Sequence, residues 1–175
     1  DDYPLGSDDR ERVRRITLAG EAELHPEAAR LIEDLDWPRY YLDFETIAPA
    51  VPIFAGTRPY GAQAFQWSCH IEYEDGSVDH REFLADGKEA PMRATADALI
   101  EAIGDAGPVL VYSRYERTTL NGLSALYPDL AQPLQAIVQR LVDLLPITKA
   151  NYYHPAMRGS WSIKRVLPTI CPELD

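Results

Sequence analysis

Two acids, Asp43 and Glu45, stand two residues apart in the otherwise apolar run Leu42-Asp43-Phe44-Glu45-Thr46. In an extended chain alternate side chains share a face, so both carboxylates point one way while Leu42, Phe44 and Thr46 point the other. Neighbouring carboxylates repel, and they resist leaving water unless something compensates their charge. A divalent cation does so. Asp and Glu oxygens suit Mg²⁺ or Mn²⁺, and two such ions about 3.5–4 Å apart activate water and stabilise a leaving oxygen in phosphodiester cleavage. A solvated strand end explains the same pair equally well. Glu116 follows the apolar run Val109-Leu110-Val111-Tyr112 at the start of a helical pattern. The helix dipole alone favours an acid there, yet strand ends are also where α/β folds present functional groups. Asp143 lies among apolar neighbours, Leu141, Val142, Leu144 and Leu145, and is either a fourth acid of the site or part of a solvated helix face. Asp43, Glu45, Glu116 and Asp143 form the candidate catalytic set, with the first three as metal ligands.

Other residues suit a polyanionic chain. Arg58, in a loop rich in proline and glycine, can grip a phosphate bidentately or make a loop salt bridge. Arg114, Lys149, Lys164 and Arg165 can line a nucleic-acid path. Tyr60 or Trp161 can stack a base, although single aromatics more often pack. Thr46, Arg58, Tyr60, Arg114 and Lys164 make up the candidate nucleic-acid-binding set. His154 precedes Pro155 and is a base, a ligand or neither. His70 and His80 fall on adjoining strand-like runs and face each other or solvent.

The elements that must position these residues follow from periodicity. Residues 1–20 are dominated by charge and read as a tail or linker. Helical spacing covers His25 to Leu35, with Pro26 in the first turn, and Pro38 stops it. Tyr40 to Ile47 reads as a strand, and Ala48 to Ala64 as a long loop. Phe65 to Tyr73 and Val78 to Leu84 flank Glu74-Asp75-Gly76-Ser77, a hairpin signal. Pro91 to Ile103 is helical, Pro108 to Tyr112 is a buried strand, and Arg114 or Tyr115 to Tyr127 is a helix interrupted by Gly122. Pro133 to Leu145 continues as a helical run that becomes extended near Asp143. A short helix opens from Ser160 to Leu167, capped by Ser160 or Ser162. The order predicts an α/β fold whose sheet begins antiparallel and continues through helical crossovers.

With 175 residues, 46% of them hydrophobic, the chain can build one real core and little more. No apolar stretch approaches the roughly 20 residues a membrane helix needs, so no membrane partner is expected. The opening Asp1-Asp2-Tyr3-Pro4 lacks the order of a signal peptide. Two isolated cysteines, Cys69 and Cys171, point to a reduced, cytoplasmic protein, with a disulfide between them as the alternative. The net charge of −11 argues at first against a nucleic-acid partner. Its distribution weakens that objection: residues 1–110 hold 23 acids against 10 bases, and residues 111–175 hold 5 against 7. Chance asymmetry gives the same pattern.

The acid run resembles the first motif of the DnaQ-like (DEDD) 3′–5′ exonucleases, within the ribonuclease-H-like superfamily, with Asp43 and Glu45 in its Asp-x-Glu positions. Tyr112-Ser113-Arg114-Tyr115-Glu116 is similar to their second motif, with Ser113 in place of Asn and Glu116 in place of Asp. The chain is also similar to a bacterial family carrying Leu-Asp-Phe-Glu-Thr, Gly-Thr-Arg-Pro-Tyr and Tyr-His-Pro signatures. These stand at Leu42 to Thr46, Gly56 to Tyr60 and Tyr153 to Pro155, with Gly159-Ser160-Trp161-Ser162-Ile163-Lys164 after them. The resemblance implies a ribonuclease-H-like mixed sheet flanked by helices, a domain over 38–175, and a charged linker and helix over 1–37. It also implies a RecB-type nuclease module in the same longer chain. The DEDD pattern needs a last Asp preceded by His or Tyr, and no such run follows Glu116, so the domain is expected to be truncated at its C-terminus and its metal site incomplete.

The resemblance implies a Mg²⁺- or Mn²⁺-dependent nuclease, a 3′–5′ exonuclease on DNA or RNA. A non-catalytic nucleic-acid-binding or architectural domain serving an attached nuclease is the rival, favoured by the acidic composition and the altered second motif. A protein-interaction module is a third reading, since fold alone does not fix function.

Overall fold

The structure, a computed structural model, describes residues 6–87 and 89–174. Asp1–Pro4 and Asp175 therefore lie outside the described residues. Where charge density reads as a tail, the chain forms helix α1 (Asp8–Ala19). Ser7 caps its start, accepting from the Arg10 amide, and Gly20 closes it in the left-handed conformation. The charges do not prevent a helix because they fan around an apolar seam in which Ile16 is buried. Strand β1 (Glu23–Leu24) and helix α2 (Glu27–Glu33) follow.

Strand β2 (Arg39–Ile47) carries the acid run, and its burial alternates as a half-covered strand should: Tyr40, Leu42 and Phe44 are buried, while Asp43 and Glu45 are exposed. Strands β3 (Gln63–Glu72) and β4 (Val78–Leu84) form the hairpin, turned by Asp75-Gly76 with Gly76 at φ 80°. Helix α3 (Met92–Ala102), strand β5 (Val109–Val111) and helix α4 (Tyr115–Leu126) come next. Gly122 does not interrupt α4, because flanking turns carry the helix through it at a modest propensity cost. The helical run over Pro133 to Leu145 ends early: α5 (Ala131–Gln139) stops at Arg140, and Leu141–Asp143 become strand β6. Helix α6 (Leu144–Asn151), strand β7 (Tyr152–Tyr153) and helix α7 (Ile163–Ile170) complete the order. Helix α7 starts behind Ser162 rather than Ser160, and the Ser162 side chain makes no capping hydrogen bond.

Leu35–Asp143 form one compact unit, and the residues up to Asp34 together with those from Leu144 form another. In the first unit the strands lie in the order β4-β3-β2-β5-β6. The first three are antiparallel and the last three parallel, a mixed α/β sheet of the kind expected from the sequence. Its core joins Leu42, Phe44, Trp67, Cys69, Ile71 and Val109 to Ala96, Leu99, Leu120 and Leu134 of the helices. Trp67 also donates to the Thr95 carbonyl at 3.1 Å. Arg140 ends α5 and stitches the turn before β5, donating to the carbonyls of Gly104, Ala106 and Gly107 at 2.6, 2.8 and 3.0 Å. In the second unit β1 pairs with β7. There Arg12 and Arg15 both reach Glu23 at 2.5 Å and hold its carboxyl down to about 2.

Cys69 and Cys171 are free thiols, and burial pushes Cys69 up to about 12. Among the described residues no helix is long and apolar enough to cross a membrane.

Candidate active site

Strands β2, β5 and β6 run parallel, so their C-terminal ends share one edge of the sheet. Asp43 and Glu45 stand near that end of β2, Glu116 lies in the first turn of α4 just after β5, and Asp143 is the last residue of β6. Asp143 sits there because Val111 takes it as a ladder partner, which replaces the helix-face reading with a strand-end one. A β-bulge between Glu45 and Thr46 shifts the register from Gln66 to Ala64 beside the acids.

Asp43 and Glu45 remain in water, whereas Glu116 is only 4% exposed. Its Oε2 meets no hydrogen-bond donor among the described residues. Burial raises the Glu116 carboxyl above the ordinary range, and the charges of Asp43 and Asp143 push it further the same way. A buried carboxyl in that setting holds a proton or needs a cation. Among the described residues, however, no three of His, Cys, Asp or Glu are gathered closely enough to hold one ion. The acids converge in field but are not drawn to ligand distance.

The raised Glu116 sets a pH dependence. Because its folded-state proton affinity exceeds the unfolded one, stability falls as pH rises from the usual carboxylate range through the folded value. Glu116→Gln is thus expected to raise the thermal midpoint at neutral pH, with the gain vanishing below about pH 4, under the unfolded carboxylate value. Thermal scans of both proteins between pH 4 and 8 check this; a midpoint lowered by the substitution at pH 7 contradicts it.

The turn from β5 into α4 is strained. Ser113 adopts φ 137°, a region essentially reserved for glycine, at a cost of about 1–3 kcal/mol. Its hydroxyl accepts from the Tyr115 amide at 3.2 Å. The Tyr115 hydroxyl in turn makes a short hydrogen bond to Thr46, tying the residue after Glu45 to the residue before Glu116.

Beside this tie opens a cleft of about 710 Å³, walled by Thr46, Arg58, Gln63, Tyr115, Gly122 and Tyr127 among others. Arg58 is therefore at the cleft, and Gly61 lets its stem lie close, since a Cβ there would meet Arg58 Cγ at 3.0 Å. Tyr60 is 75% exposed, at φ 56°, its amide held by the Pro49 carbonyl at 2.9 Å. Arg114 is exposed at the N-cap of α4. Lys164 and Arg165 are exposed on α7, in the other unit.

Two candidates have structural duties. His154 Nδ1 accepts from the Ala156 amide at 3.1 Å and caps the turn Pro155–Met157. Trp161 donates to the Tyr152 carbonyl at 2.8 Å and packs on Tyr153, which accounts for the ring without a base. Sequence reasoning missed Tyr115, Gln63 and Gly122. Gln63 is buried, and neither of its amide atoms finds a partner among the described residues. Nothing in its sequence neighbourhood signals this, because only the folded cleft distinguishes it from an ordinary strand residue.

A family model described as a domain of unknown function (DUF2779) matches residues 40–162. None of the curated proteins matches the chain.

Proposed function

The chain belongs to the DUF2779 family, and we propose that it is a metal-dependent nuclease domain, a 3′–5′ exonuclease on DNA or RNA. The observation that carries this reading is the buried Glu116 carboxyl, whose Oε2 has no partner among the described residues, set within the fields of Asp43 and Asp143 at the C-terminal edge of the parallel strands. The strand order suits the resemblance to ribonuclease-H-like exonucleases, which implies a mixed sheet of antiparallel hairpin strands followed by parallel ones: β2 lies centrally, with β3 and β4 on one side and β5 and β6 on the other.

The donor chemistry, all carboxylate oxygens, suits hard divalent cations, although the acids would have to draw together to share one. Asp43, Glu45 and Glu116 would hold Mg²⁺ or Mn²⁺, with Asp143 as the fourth acid. Bound there, the ions would supply neutralisation of the phosphodiester and an acidified water. The protein's own residues do the rest. Glu116 would meet the cation with a carboxylate whose burial leaves it short of a compensating charge. The Thr46–Tyr115 hydrogen bond fixes β2 against α4 and so limits how far the acids can drift apart. Arg58, at the cleft, supplies a planar donor pair for phosphate. By the same resemblance, the domain would serve beside a RecB-type nuclease module in a longer chain.

One observation favours the rival, a non-catalytic nucleic-acid-binding domain: the acids are not pre-gathered around one point. A 5′-labelled single strand incubated with Mn²⁺ or Mg²⁺ separates the two. Shortening by single nucleotides from the 3′ end, lost in Asp43→Asn, supports the exonuclease. Retained strand affinity with equal inertness of both proteins supports the binding domain.

Gly122 offers a sharper probe of the cleft. A Cβ built on it meets nothing within 4 Å, so Gly122→Ala is expected to stabilise the domain by about 0.5–1 kcal/mol through helix propensity. Gly122→Phe, projecting into the cleft, is expected to weaken strand binding by about tenfold or more, roughly 1.4 kcal/mol, with the fold intact. Fluorescence anisotropy with a labelled single strand measures it; unchanged affinity would remove the cleft from the substrate path.

A further inference from the structure

The hairpin β3–β4 carries a second group of ligating side chains, away from the acids. Its register sets His70 directly opposite His80. The two rings stack with centroids 4.4 Å apart and planes 24° from parallel, and both side chains are exposed. Strand β4 is the edge of the sheet, so solvent reaches the pair freely. The Ser68 hydroxyl lies 2.9 Å from His80 Nε2, one of the two atoms of that ring that could ligate. Alternation along the three antiparallel strands puts Tyr41, Asp43, Ser68, Glu72, Val78 and Glu82 around the pair on the same sheet face, with Arg39 beyond them. Three of these neighbours are carboxylates against one guanidinium, and Tyr41 is already engaged, donating to Glu72 at 2.7 Å. The local field therefore favours a cation.

We propose that His70 and His80 form a two-histidine clip for a borderline divalent cation of the Zn²⁺, Ni²⁺ and Cu²⁺ class. Imidazole nitrogen suits these ions, whereas the all-oxygen acid group suits Mg²⁺ or Mn²⁺. Opposed residues on antiparallel strands have Cβ atoms about 4.5–5.5 Å apart, and a tetrahedral ion bound at about 2.0–2.1 Å needs its nitrogens roughly 3.3 Å apart. The rings stand near parallel, so their nitrogens converge on one ion only when the side chains turn about their χ angles and the ring planes open; both side chains are exposed on an edge hairpin, where such turning needs no backbone movement. Two protein ligands leave the other positions to water, so the clip is exchangeable rather than closed. Bound metal would fasten the edge strand β4 to β3. The proposal does not depend on the nuclease reading and survives its failure.

The test is titration of the full chain with Zn²⁺ alone, followed by histidine side-chain NMR and by calorimetry. The resonances of His70 and His80 are expected to shift together at equal Zn²⁺ concentration, ahead of those of His25 and His154. His70→Gln and His80→Gln are each expected to weaken Zn²⁺ binding at least as much as the about 10–100-fold seen when an outer-shell partner is lost. The double variant should be no weaker than either single one, because one ligand alone does not chelate. Mg²⁺ is expected to leave both rings unmoved. Shifts at His25 or His154 first, or Zn²⁺ affinity unchanged within twofold in both single variants, would overturn the proposal. The wild-type NMR decides even if a variant folds poorly.

Discussion

Asp43→Asn is expected to lower Mn²⁺-dependent strand hydrolysis by about 10²–10³-fold, the equivalent of roughly 3–4 kcal/mol of lost transition-state stabilisation. Asparagine keeps the shape of the side chain on the exposed face of β2 and removes its charge. A neutral amide is a poor ligand for a hard cation competing with water, so the loss falls on metal loading and on the charge that metal brings to the phosphodiester. The same substitution removes one of the charges that raise Glu116. The folded domain should then be no less stable at neutral pH, since its buried carboxyl ionises against a weaker opposing field. Loss of hydrolysis with an unchanged or higher thermal midpoint is thus the combined expectation. Loss accompanied by unfolding would leave the acid with a structural duty instead. The rate is read on a 5′-labelled single strand and the midpoint by thermal scanning.

Gly107→Ala carries the largest expected effect on stability. Gly107 sits between α3 and β5 at φ 83°, and a Cβ there would collide with the carbonyl oxygen of Pro38, with the Pro38 carbonyl carbon and nitrogen also close, at 3.0 and 3.1 Å. These obstacles are backbone atoms, so no rotamer change relieves them. The same turn seats the β2–β5 ladder, through the Tyr40 amide on the Pro108 carbonyl at 3.0 Å. The left-handed conformation alone costs alanine about 1–2 kcal/mol, and the forced shift of a ladder that positions two of the acids adds to it. A total of about 3–5 kcal/mol is expected, which for a chain this size lowers the midpoint by about 10 °C. Gly76→Ala serves as the control: φ is 80° there too, but a Cβ meets nothing within 4 Å. Only the conformational part, about 1–2 kcal/mol, should appear. Equal effects at the two positions would show that the Pro38 contact does not matter.

Much of the fold is legible because local signals and tertiary needs agree. The Asp75-Gly76 turn, the strand run Tyr40 to Ile47 and the helical run Pro91 to Ile103 each lead to the element found, with the bounds of β4 unchanged. The failures are places where the deciding contact is distant. Leu141, Val142, Leu144 and Leu145 fit a helix as well as a strand, and only the parallel partner Val109–Val111 converts the first part into β6. The N-terminal charges hide α1 because the seam that matters has few apolar members, Ile16 chief among them. The acids are legible as residue types, and Glu116 as a residue at a strand end, but the placing of Asp143 on the same sheet edge depends on its pairing with Val111. The burial of Glu116, the strain at Ser113 and the Thr46–Tyr115 tie were not visible, since each depends on how β5 hands over to α4.

In the proposed mechanism the acids at the sheet edge form a divalent-cation site. Calorimetric titration of Mn²⁺ into the wild-type chain and into Glu116→Gln at pH 7 tests it most directly. A saturable site is expected in the wild type, because the buried Glu116 carboxyl and its acidic neighbours lack a compensating charge that the cation brings. Affinity at least about tenfold weaker is expected in Glu116→Gln, which cannot supply a charged oxygen. Saturable binding of equal affinity in both proteins, or no saturable binding in the wild type, would contradict it.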